Sequence, residues 1–262
     1  MLIAIDIGNS SINIGFFTES GLFVQKIDTS PLMSPSGYLA LLNRFKKEKN
    51  IDKTPEGIII SSVVPGHTDV LRETLKGLAS VEPLIVSCKI NTGLKFNIPN
   101  PEELGSDRIA NAAAAYELYK CAVAVVDYGT AITISIVGKD ADYIGGAIMP
   151  GIGLMNNSLA KGTSKLSVVP LSPPELALGT DTIRCIQSGL FYGTAGAAER
   201  ILREIEKEVG FGLKVVLTGG YGGIISKFIR RKHVLRPHLT IEGLKTIYMR
   251  NKDAAKYLRE AE

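Results

Sequence analysis

One sequence pattern occurs twice in this chain, once at the start of each half. An apolar run ends in Asp-x-Gly, small polar residues follow, and a second apolar run begins. Residues 2–17 contain Asp6 and Gly8, and residues 123–137 contain Asp127 and Gly129. Each copy predicts a buried strand that carries a carboxylate to its end, where glycine lets the backbone turn tightly and approach a ligand closely. Two copies predict two related halves.

The predicted hairpins have the chemistry of phosphate-binding loops. Their turns would offer backbone N–H groups to phosphate oxygens, and Asp6 and Asp127 would serve the metal ion that accompanies a nucleotide. Two such hairpins would clamp one nucleotide. The alternative is a pair of ordinary β-hairpins with Asp-x-Gly turns.

Composition narrows the function classes. The 262 residues, 45% hydrophobic and 21% charged, suffice for two domains, and a net charge of +4 is too small to predict nucleic-acid binding. No signal peptide and no apolar run of membrane length is recognised, so we expect a cytoplasmic protein without membrane contact. Cys88, Cys121 and Cys185 indicate reduced thiols rather than disulfides or a metal site.

Hydrophobic periodicity predicts the same order of elements in both halves, namely three antiparallel strands followed by helices that alternate with strands. The first half is predicted to contain strands 2–6, 12–17 and 22–27, a helix around 39–45, strand 57–64, helix 68–78, strand 84–87, a loop over 89–105 and helix 106–119. The second half is predicted to contain strands 122–127, 132–137 and 143–149, a helix ending at 159, a loop over 162–179, helix 182–209, strand 214–217 and two last helices, with the basic residues 227–233 on a solvated helix end.

This order predicts an α/β fold with a meander at one edge of a mixed sheet in each half. Such a layout is similar to two stacked ribonuclease H-like domains of the actin, sugar-kinase and heat-shock-ATPase superfamily. We expect domains at residues 1–114 and 115–262, with a nucleotide cleft between them. In that superfamily a Gly-Gly turn of the second domain holds adenosine, and Gly219-Gly220 has the matching position. A plain strand-to-helix turn is the alternative.

A second motif, Gly105-Ser106-Asp107-Arg108, concerns the phosphate acceptor. Ser106 could N-cap the predicted helix, and Asp107 lies in its first turn. Stabilisation of the helix start would by itself explain both residues. A carboxylate beside a guanidinium at a predicted domain junction also suits an anionic substrate whose hydroxyl loses a proton.

The chain resembles type III pantothenate kinases closely, in motifs that follow family order over nearly its whole length. The matching segments are Asp6-Ile-Gly-Asn-Ser10, Ser61-Ser-Val-Val-Pro65, Thr92-Gly-Leu94 with Asn100-Pro101, Gly105-Ser-Asp-Arg108, Val126-Asp-Tyr-Gly-Thr-Ala131, Gly145-Gly-Ala-Ile-Met-Pro-Gly151, Thr163-Ser-Lys-Leu166, Gln187-Ser-Gly-Leu-Phe-Tyr-Gly193 and Thr218-Gly-Gly220.

The resemblance implies ATP-dependent phosphorylation of pantothenate, the first step of coenzyme A biosynthesis, by a cytoplasmic homodimer. It implies that Asp107 is the general base, that Asp6 holds Mg²⁺ with ATP, and that Asp127 binds K⁺ or ammonium. The implied pantothenate-binding residues are Gly105, Ser106, Asp107, Arg108, Thr182 and, at a position that is commonly aromatic, Ile98. The implied ATP-binding residues are Asp6, Ile7, Gly8, Asn9, Ser10, Ser11, Ile12, Asn13, Gly129, Thr130, Gly219 and Gly220.

Three positions depart from the family pattern. Ser10 replaces the usual threonine and keeps a hydroxyl. The side chain of Ile98 can pack against the methyl groups of pantothenate but cannot hydrogen-bond to it. Tyr128 replaces the more usual phenylalanine and adds a hydroxyl.

Two other functions compete with the kinase. A ribonuclease H-like nuclease also places carboxylates at strand ends for two metal ions, and Asp6, Asp107 and Asp127 could serve that chemistry. The glycine hairpins and the lack of a basic groove in the sequence argue against it. A non-catalytic ATP-binding transcriptional accessory protein is the second, since relatives have been described so; the intact Asp107, Arg108 and Asp127 argue against it.

Overall fold

The computed structural model describes residues 1–79 and 81–257 of the chain. These residues form two compact units. The first comprises Met1–Leu118 together with the described part of the segment that begins at Leu239, and the second comprises Tyr119–His238.

The elements alternate between strands and helices as the periodicity predicts. The first unit contains β1 (Leu2–Ile7), β2 (Ser11–Thr18), β3 (Gly21–Asp28), α1 (Pro35–Glu48), β4 (Gly57–Ser62), α2 (Pro65–Ala79), β5 (Leu84–Ile85), β6 (Lys95–Phe96) and α3 (Ser106–Tyr119). The second contains β7 (Val123–Tyr128), β8 (Ala131–Val137), β9 (Asp142–Pro150), α4 (Ile152–Gly162), α5 (Thr182–Val209), β10 (Lys214–Thr218), α6 (Gly222–Ile225) and β11 (His233–Leu235). The last helix, α7 (Leu239–Tyr257), belongs to the first unit.

The two sheets repeat one strand order. In the first unit the order is β3-β2-β1-β4-β5, with β1 antiparallel to β2 and parallel to β4. In the second unit β9-β8-β7-β10-β11 follow in the equivalent order, with β7 antiparallel to β8 and parallel to β10. The predicted α/β fold, with a meander at one edge of a mixed sheet in each half, is therefore confirmed.

Strand β1 is buried along its whole length because helices cover both of its faces. Ile3 and Ile5 point to one face, where they belong to the same apolar cluster as Tyr38 of α1. Ala4 points to the other face and belongs to a cluster formed with α3 and α7. Since side chains alternate along a strand, Asp6 shares the face of Ala4. A carboxylate in such a strand needs polar partners close by.

The last helix, α7, belongs to the first unit, whereas the predicted division of the chain at 114/115 assigns it to the second domain. Its residues Ile241, Leu244 and Ile247 pack in one cluster with Ala4 of the first unit. At Gly243 a Cβ atom would collide with the carbonyl oxygen of Ala110, so glycine allows α7 to approach α3 closely. Burial of the apolar face of α7 against the first sheet explains the difference. Residues 258–262 of the predicted second domain lie outside the described residues.

Two local predictions are corrected. Residues 233–235 form strand β11, parallel to β10, and not the end of a helix, because Val234 pairs with Val216 and extends the sheet. Pro65 does not merely stop a strand but opens α2, three residues after β4 ends at Ser62, where proline needs no N–H partner. Of the helices within the described part of the chain, none combines the length and apolar character needed to cross a membrane.

Candidate active site

Each unit carries one aspartate as the next-to-last residue of its central strand. Asp6 lies opposite Asn13 in the β1–β2 hairpin, whose turn is closed by a hydrogen bond from the Gly8 N–H to the Ser11 carbonyl at 3.0 Å. Asp127 lies opposite Thr133 in the β7–β8 hairpin, where the Gly129 N–H donates to the Ala131 carbonyl at 3.2 Å. The hairpins thus have the geometry that the repeated pattern predicts.

The first hairpin exposes only part of the segment expected to bind ATP. Ile7 and Ile12 are buried in the apolar core, so they could contact a ligand only through backbone atoms. Asn9 and Ser10 are exposed at the tip of the turn, and Gly8, Ser11 and Asn13 are half-buried. Small polar side chains at an exposed turn leave room for phosphate oxygens.

Asp6 is joined to the acceptor motif by buried hydroxyl groups. Ser61, its partner on the parallel strand β4, donates from Oγ to Asp6 Oδ1 at 3.2 Å. The same Oγ lies 3.0 Å from Ser106 Oγ. Ser106 therefore does not use its hydroxyl as the predicted cap of α3, because the group faces β4, where it accepts the Ser62 N–H at 2.9 Å. Ser61 was not predicted as a site residue, because its place beside Asp6 depends on the register of β1 with β4.

The acceptor motif itself is tightly folded around Asp107. At Gly105 a Cβ atom would lie 2.5 Å from Asp107 Oδ1, so a side chain there would displace the carboxylate. Asp107 Oδ1 accepts the backbone N–H of Arg108 at 2.8 Å, and both residues are half-buried at the start of α3. The carboxylate therefore stabilises the first turn of the helix.

In the second unit, glycine backbone surrounds Asp127. Thr218, the last residue of β10, is its partner in the sheet, and Gly219 follows with φ +89°. A Cβ atom at Gly219 would collide with Asp127 Oδ1 and lie 2.6 Å from the backbone of Tyr128. On the other side, Gly151 packs on the 129–130 turn and its N–H donates to the Thr130 carbonyl at 3.0 Å. Asp127 and Thr130 are half-buried, and Gly220 is exposed.

The two remaining predicted contacts, Thr182 and Ile98, lie on separate segments. Thr182 is the exposed first residue of α5, directly after Asp181, whose side chain caps the helix by accepting the Arg184 N–H at 2.9 Å. It lines an open groove of about 870 Å³ whose walls come mainly from α4 and α5. Ile98 is half-buried in the segment between β6 and a short 3₁₀ turn at Pro101–Glu103.

Tyr128, which departs from the family pattern, is a buried tyrosine that follows Asp127 in β7. Its side chain is 1% exposed, its hydroxyl has no hydrogen-bond partner among the described residues, and burial raises its pKa. We expect Tyr128→Phe to increase the free energy of unfolding by about 1 kcal/mol, because the unpaired hydroxyl is removed. Urea unfolding would measure the change.

Tyr143→Phe is the matched control for that variant. Tyr143 is equally buried, but its hydroxyl donates to Ser135 Oγ at 3.2 Å. Loss of this hydrogen bond should lower the free energy of unfolding by about 1 kcal/mol. A destabilised Tyr128→Phe variant would show that the Tyr128 hydroxyl is hydrogen-bonded in solution.

Comparison with known proteins identifies relatives over nearly the whole chain. A family model described as type III pantothenate kinase matches residues 2–204. A type III pantothenate kinase of Dehalococcoides mccartyi strain CBDB1 is 38% identical over 253 residues, which cover 96% of each chain.

Solved structures share the fold at lower identity. A Campylobacter jejuni protein assigned to the Baf family of transcriptional activators has a TM-score of 0.61 at 21% identity, covering 96% of this chain and 99% of its own. The activator of 2-hydroxyisocaproyl-CoA dehydratase from Clostridium difficile, with bound ADPNP, has a TM-score of 0.56 at 10% identity, covering 100% and 97%. At these identities the likeness establishes the fold alone.

Proposed function

This chain belongs to the type III pantothenate kinase family, and on that basis we propose that it transfers the terminal phosphoryl group of ATP to the primary hydroxyl of pantothenate. The product is phosphopantothenate, and the reaction is the first step of coenzyme A biosynthesis. The chain is thus a kinase, and its family implies a need for a divalent metal ion.

One geometric observation carries the proposal. The carboxylate expected on the phosphate side, Asp6, and the turn expected on the acceptor side, which begins at Gly105, meet within one unit. Ser61 Oγ lies 3.2 Å from Asp6 Oδ1 and 3.0 Å from Ser106 Oγ. Phosphoryl transfer through a loose transition state depends mostly on positioning and charge stabilisation. The short distances between these groups would favour the positioning, and Asp6 could hold the metal ion that stabilises charge.

Asp107 is proposed as the general base. The carboxylate would accept the proton of the pantothenate hydroxyl as the new O–P bond forms, and in a loose transition state this proton loss can come late. Gly105 makes room for this carboxylate. Gly105, Ser106, Arg108, Thr182 and Ile98 are proposed to bind pantothenate. Residues 6–13, Gly129, Thr130, Gly219 and Gly220 are proposed to bind ATP.

The donor atoms fit the proposed ions. Within the described ranges no group of three or more His, Cys, Asp or Glu side chains could hold a metal. One carboxylate, Asp6, suits Mg²⁺ because that ion is commonly held by one or two carboxylates together with substrate phosphates and water. Asp127, beside the closely packed 129–130 turn, is proposed to hold K⁺ or ammonium, which would reduce repulsion between phosphates and carboxylates.

We also propose a cytoplasmic homodimer. Leu176, Leu178 and Ile183 are 72%, 79% and 49% exposed, close in sequence to Thr182, and such exposure of large apolar side chains supports an interface with a second copy. The three cysteines are unpaired, as is usual in a reducing compartment. Sedimentation of the purified protein would test the dimer.

The decisive experiment measures ATP consumption with and without pantothenate, in Mg²⁺ and K⁺, and identifies the product by mass spectrometry. Pantothenate-dependent turnover that yields phosphopantothenate supports the proposal. ATP binding without turnover would favour the accessory protein, and cleavage of RNA or DNA by the same preparation would favour the nuclease.

We expect turnover to require a monovalent cation. With Asp127 as its ligand, replacing K⁺ by a bulky organic cation at equal ionic strength should lower kcat at least about tenfold, because charge near the phosphates is no longer neutralised. The ratio of the two initial rates is the measurement. Equal rates in both buffers would contradict the proposed ion site.

Arg108→Lys should raise KM for pantothenate roughly tenfold and leave KM for ATP unchanged. A guanidinium can bind the substrate carboxylate with two hydrogen bonds, and losing one charge-assisted bond costs about 1.5 kcal/mol. The alternative role, a surface pair with Glu102 or Glu103, predicts no change in either constant; Glu102 pairs with Lys89 at 3.8 Å and Glu103 accepts from Asn100 at 3.2 Å. A change confined to the ATP constant would contradict the assignment of this motif to the acceptor.

A further inference from the structure

A chain of buried hydrogen bonds runs from Asp6 to the first residue of α3. Ser61 Oγ lies 3.2 Å from Asp6 Oδ1 and 3.0 Å from Ser106 Oγ, and Ser106 Oγ lies 2.9 Å from the Ser62 backbone nitrogen. Asp6, Ser61 and Ser106 are 9%, 0% and 8% exposed. Water therefore has little access to replace these bonds.

Donor and acceptor chemistry limits the directions of these hydrogen bonds. An ionised carboxylate only accepts hydrogen bonds, so the single proton of the Ser61 hydroxyl points to Asp6. Toward Ser106 the Ser61 hydroxyl can then only accept, and the single Ser106 proton has two acceptors, Ser61 Oγ at 3.0 Å and the Ser62 carbonyl oxygen at 3.1 Å. Ser106 Oγ in turn accepts the Ser62 N–H. When Ser106 donates to Ser61, all donors point toward the carboxylate, and bonds aligned in one direction polarise one another. When Ser61 offers no acceptor, Ser106 can donate instead to the Ser62 carbonyl, which lies 3.1 Å away.

Both ends of this series of hydrogen bonds lie on regular secondary structure. Asp6 and Ser61 are partners in the parallel β1–β4 pair, which continues as the Val63 N–H donates to the Ile7 carbonyl at 3.1 Å. Ser106 begins a helix whose next residue is Asp107. The Ser61 hydroxyl is thus the shared contact between the strand end that bears Asp6 and the helix start that bears Asp107.

We propose that Ser61 is a positioning residue, which holds the phosphate-side carboxylate Asp6 and the acceptor-side residues Gly105–Arg108 in fixed register through the hydroxyl of Ser106. This inference rests on the proposed function for its effect on the rate. Ser61 contacts neither substrate in this assignment. It acts by fixing the distance over which phosphoryl donor and acceptor must meet, and a misplacement of about 1 Å can cost two orders of magnitude in rate.

Ser61→Ala should lower kcat by at least about tenfold while each KM changes less than about threefold, because each half of the site still binds its own substrate. Thermal unfolding should show that the variant stays folded at the assay temperature. Ser135→Ala is the matched control, since Ser135 is also a buried strand serine, 2% exposed, whose Oγ accepts the Tyr143 hydroxyl at 3.2 Å in the second unit. Its kcat should match that of the unmodified protein.

The double variant Ser61→Ala/Ser106→Ala tests whether the two hydroxyl groups act together or as two independent contacts. If the two hydroxyls act through each other, removing both should reduce kcat no more than the more harmful single change. Multiplication of the two effects would overturn the inference. So would a Ser61→Ala variant that melts at a lower temperature but keeps the kcat of the unmodified protein, because its hydroxyl would then be structural only.

Failure of the proposed function can be recognised separately. If the unmodified protein does not consume ATP when pantothenate is added, that proposal fails. The free energies of unfolding of the same four proteins then test the hydroxyl link by itself. Non-additive effects of the two serine changes would support the link, and additive effects would overturn it.

Discussion

Asp107→Asn should reduce kcat for pantothenate phosphorylation by about 10²–10⁴-fold, the usual contribution of a general base. The amide has nearly the shape of the carboxylate but cannot accept the proton of the acceptor hydroxyl. Its side-chain oxygen can still accept the Arg108 N–H, which Asp107 accepts at 2.8 Å, so the start of α3 should persist. Steady-state kinetics, with ATP affinity measured separately by calorimetry, would test this prediction.

Asp69→Asn is the matched control because Asp69 is an exposed aspartate near the start of α2 in the same unit. It removes one negative charge without touching the proposed acceptor turn, and its kcat should be unchanged. If Asp107→Asn retains normal turnover, the carboxylate serves only to stabilise the first helical turn. If ATP affinity falls as much as kcat, Asp107 belongs to the phosphate side instead.

The repeat of Asp-x-Gly helped to predict the fold because it combines local and global information. Apolar runs joined by glycine turns define each hairpin. Recurrence at the start of both halves then implies the same sheet order twice, which the equivalent orders around β1 and β7 confirm. The positions of Asp6 and Asp127 at their strand ends follow from the hairpins alone.

Predictions based on local pattern were less reliable where tertiary packing decides. Basic residues just before Val234 resemble a solvated helix end, yet the short apolar segment pairs with β10. Likewise, the apolar stripe of α7 shows that one helical face is buried but not against which sheet, and Ile241 packs with the first unit. A periodic pattern specifies a face, whereas the partner of that face depends on contacts distant in sequence.

The hydroxyl of Ser106 is another case in which tertiary packing, and not the local pattern, decides the contact. Serine at position 106 before an apolar helix matches the rule for N-caps, but its hydroxyl instead joins Ser61 and the Ser62 backbone. The difference arises because a buried carboxylate at Asp6 needs donors, and the residue opposite in β4 supplies one. The register of β1 with β4 places Ser61 beside Asp6, and helix α3 brings Ser106 to Ser61.

Gly219→Ala should both destabilise the second unit and weaken ATP binding at least about tenfold. Gly219 has φ +89°, and an added Cβ atom would collide with Asp127 Oδ1 and lie 2.6 Å from the backbone of Tyr128. The strand end must shift or the carboxylate must move, so the proposed adenosine turn and ion site are disturbed together. The left-handed conformation alone costs alanine about 1–2 kcal/mol. Urea unfolding and ATP titration would measure the two effects.

Gly210→Ala separates backbone strain from steric collision. Gly210 ends α5 with φ +76°, but nothing lies within 4 Å of the position where its Cβ atom would be. Its alanine variant should lose about 1 kcal/mol of stability and keep normal ATP affinity. Any further loss of stability or ATP affinity in Gly219→Ala then measures the effect of the collision with Asp127. Equal stability losses and unchanged ATP affinity in both variants would remove Gly219 from the proposed nucleotide site, because the collision with Asp127 would then have no consequence for binding.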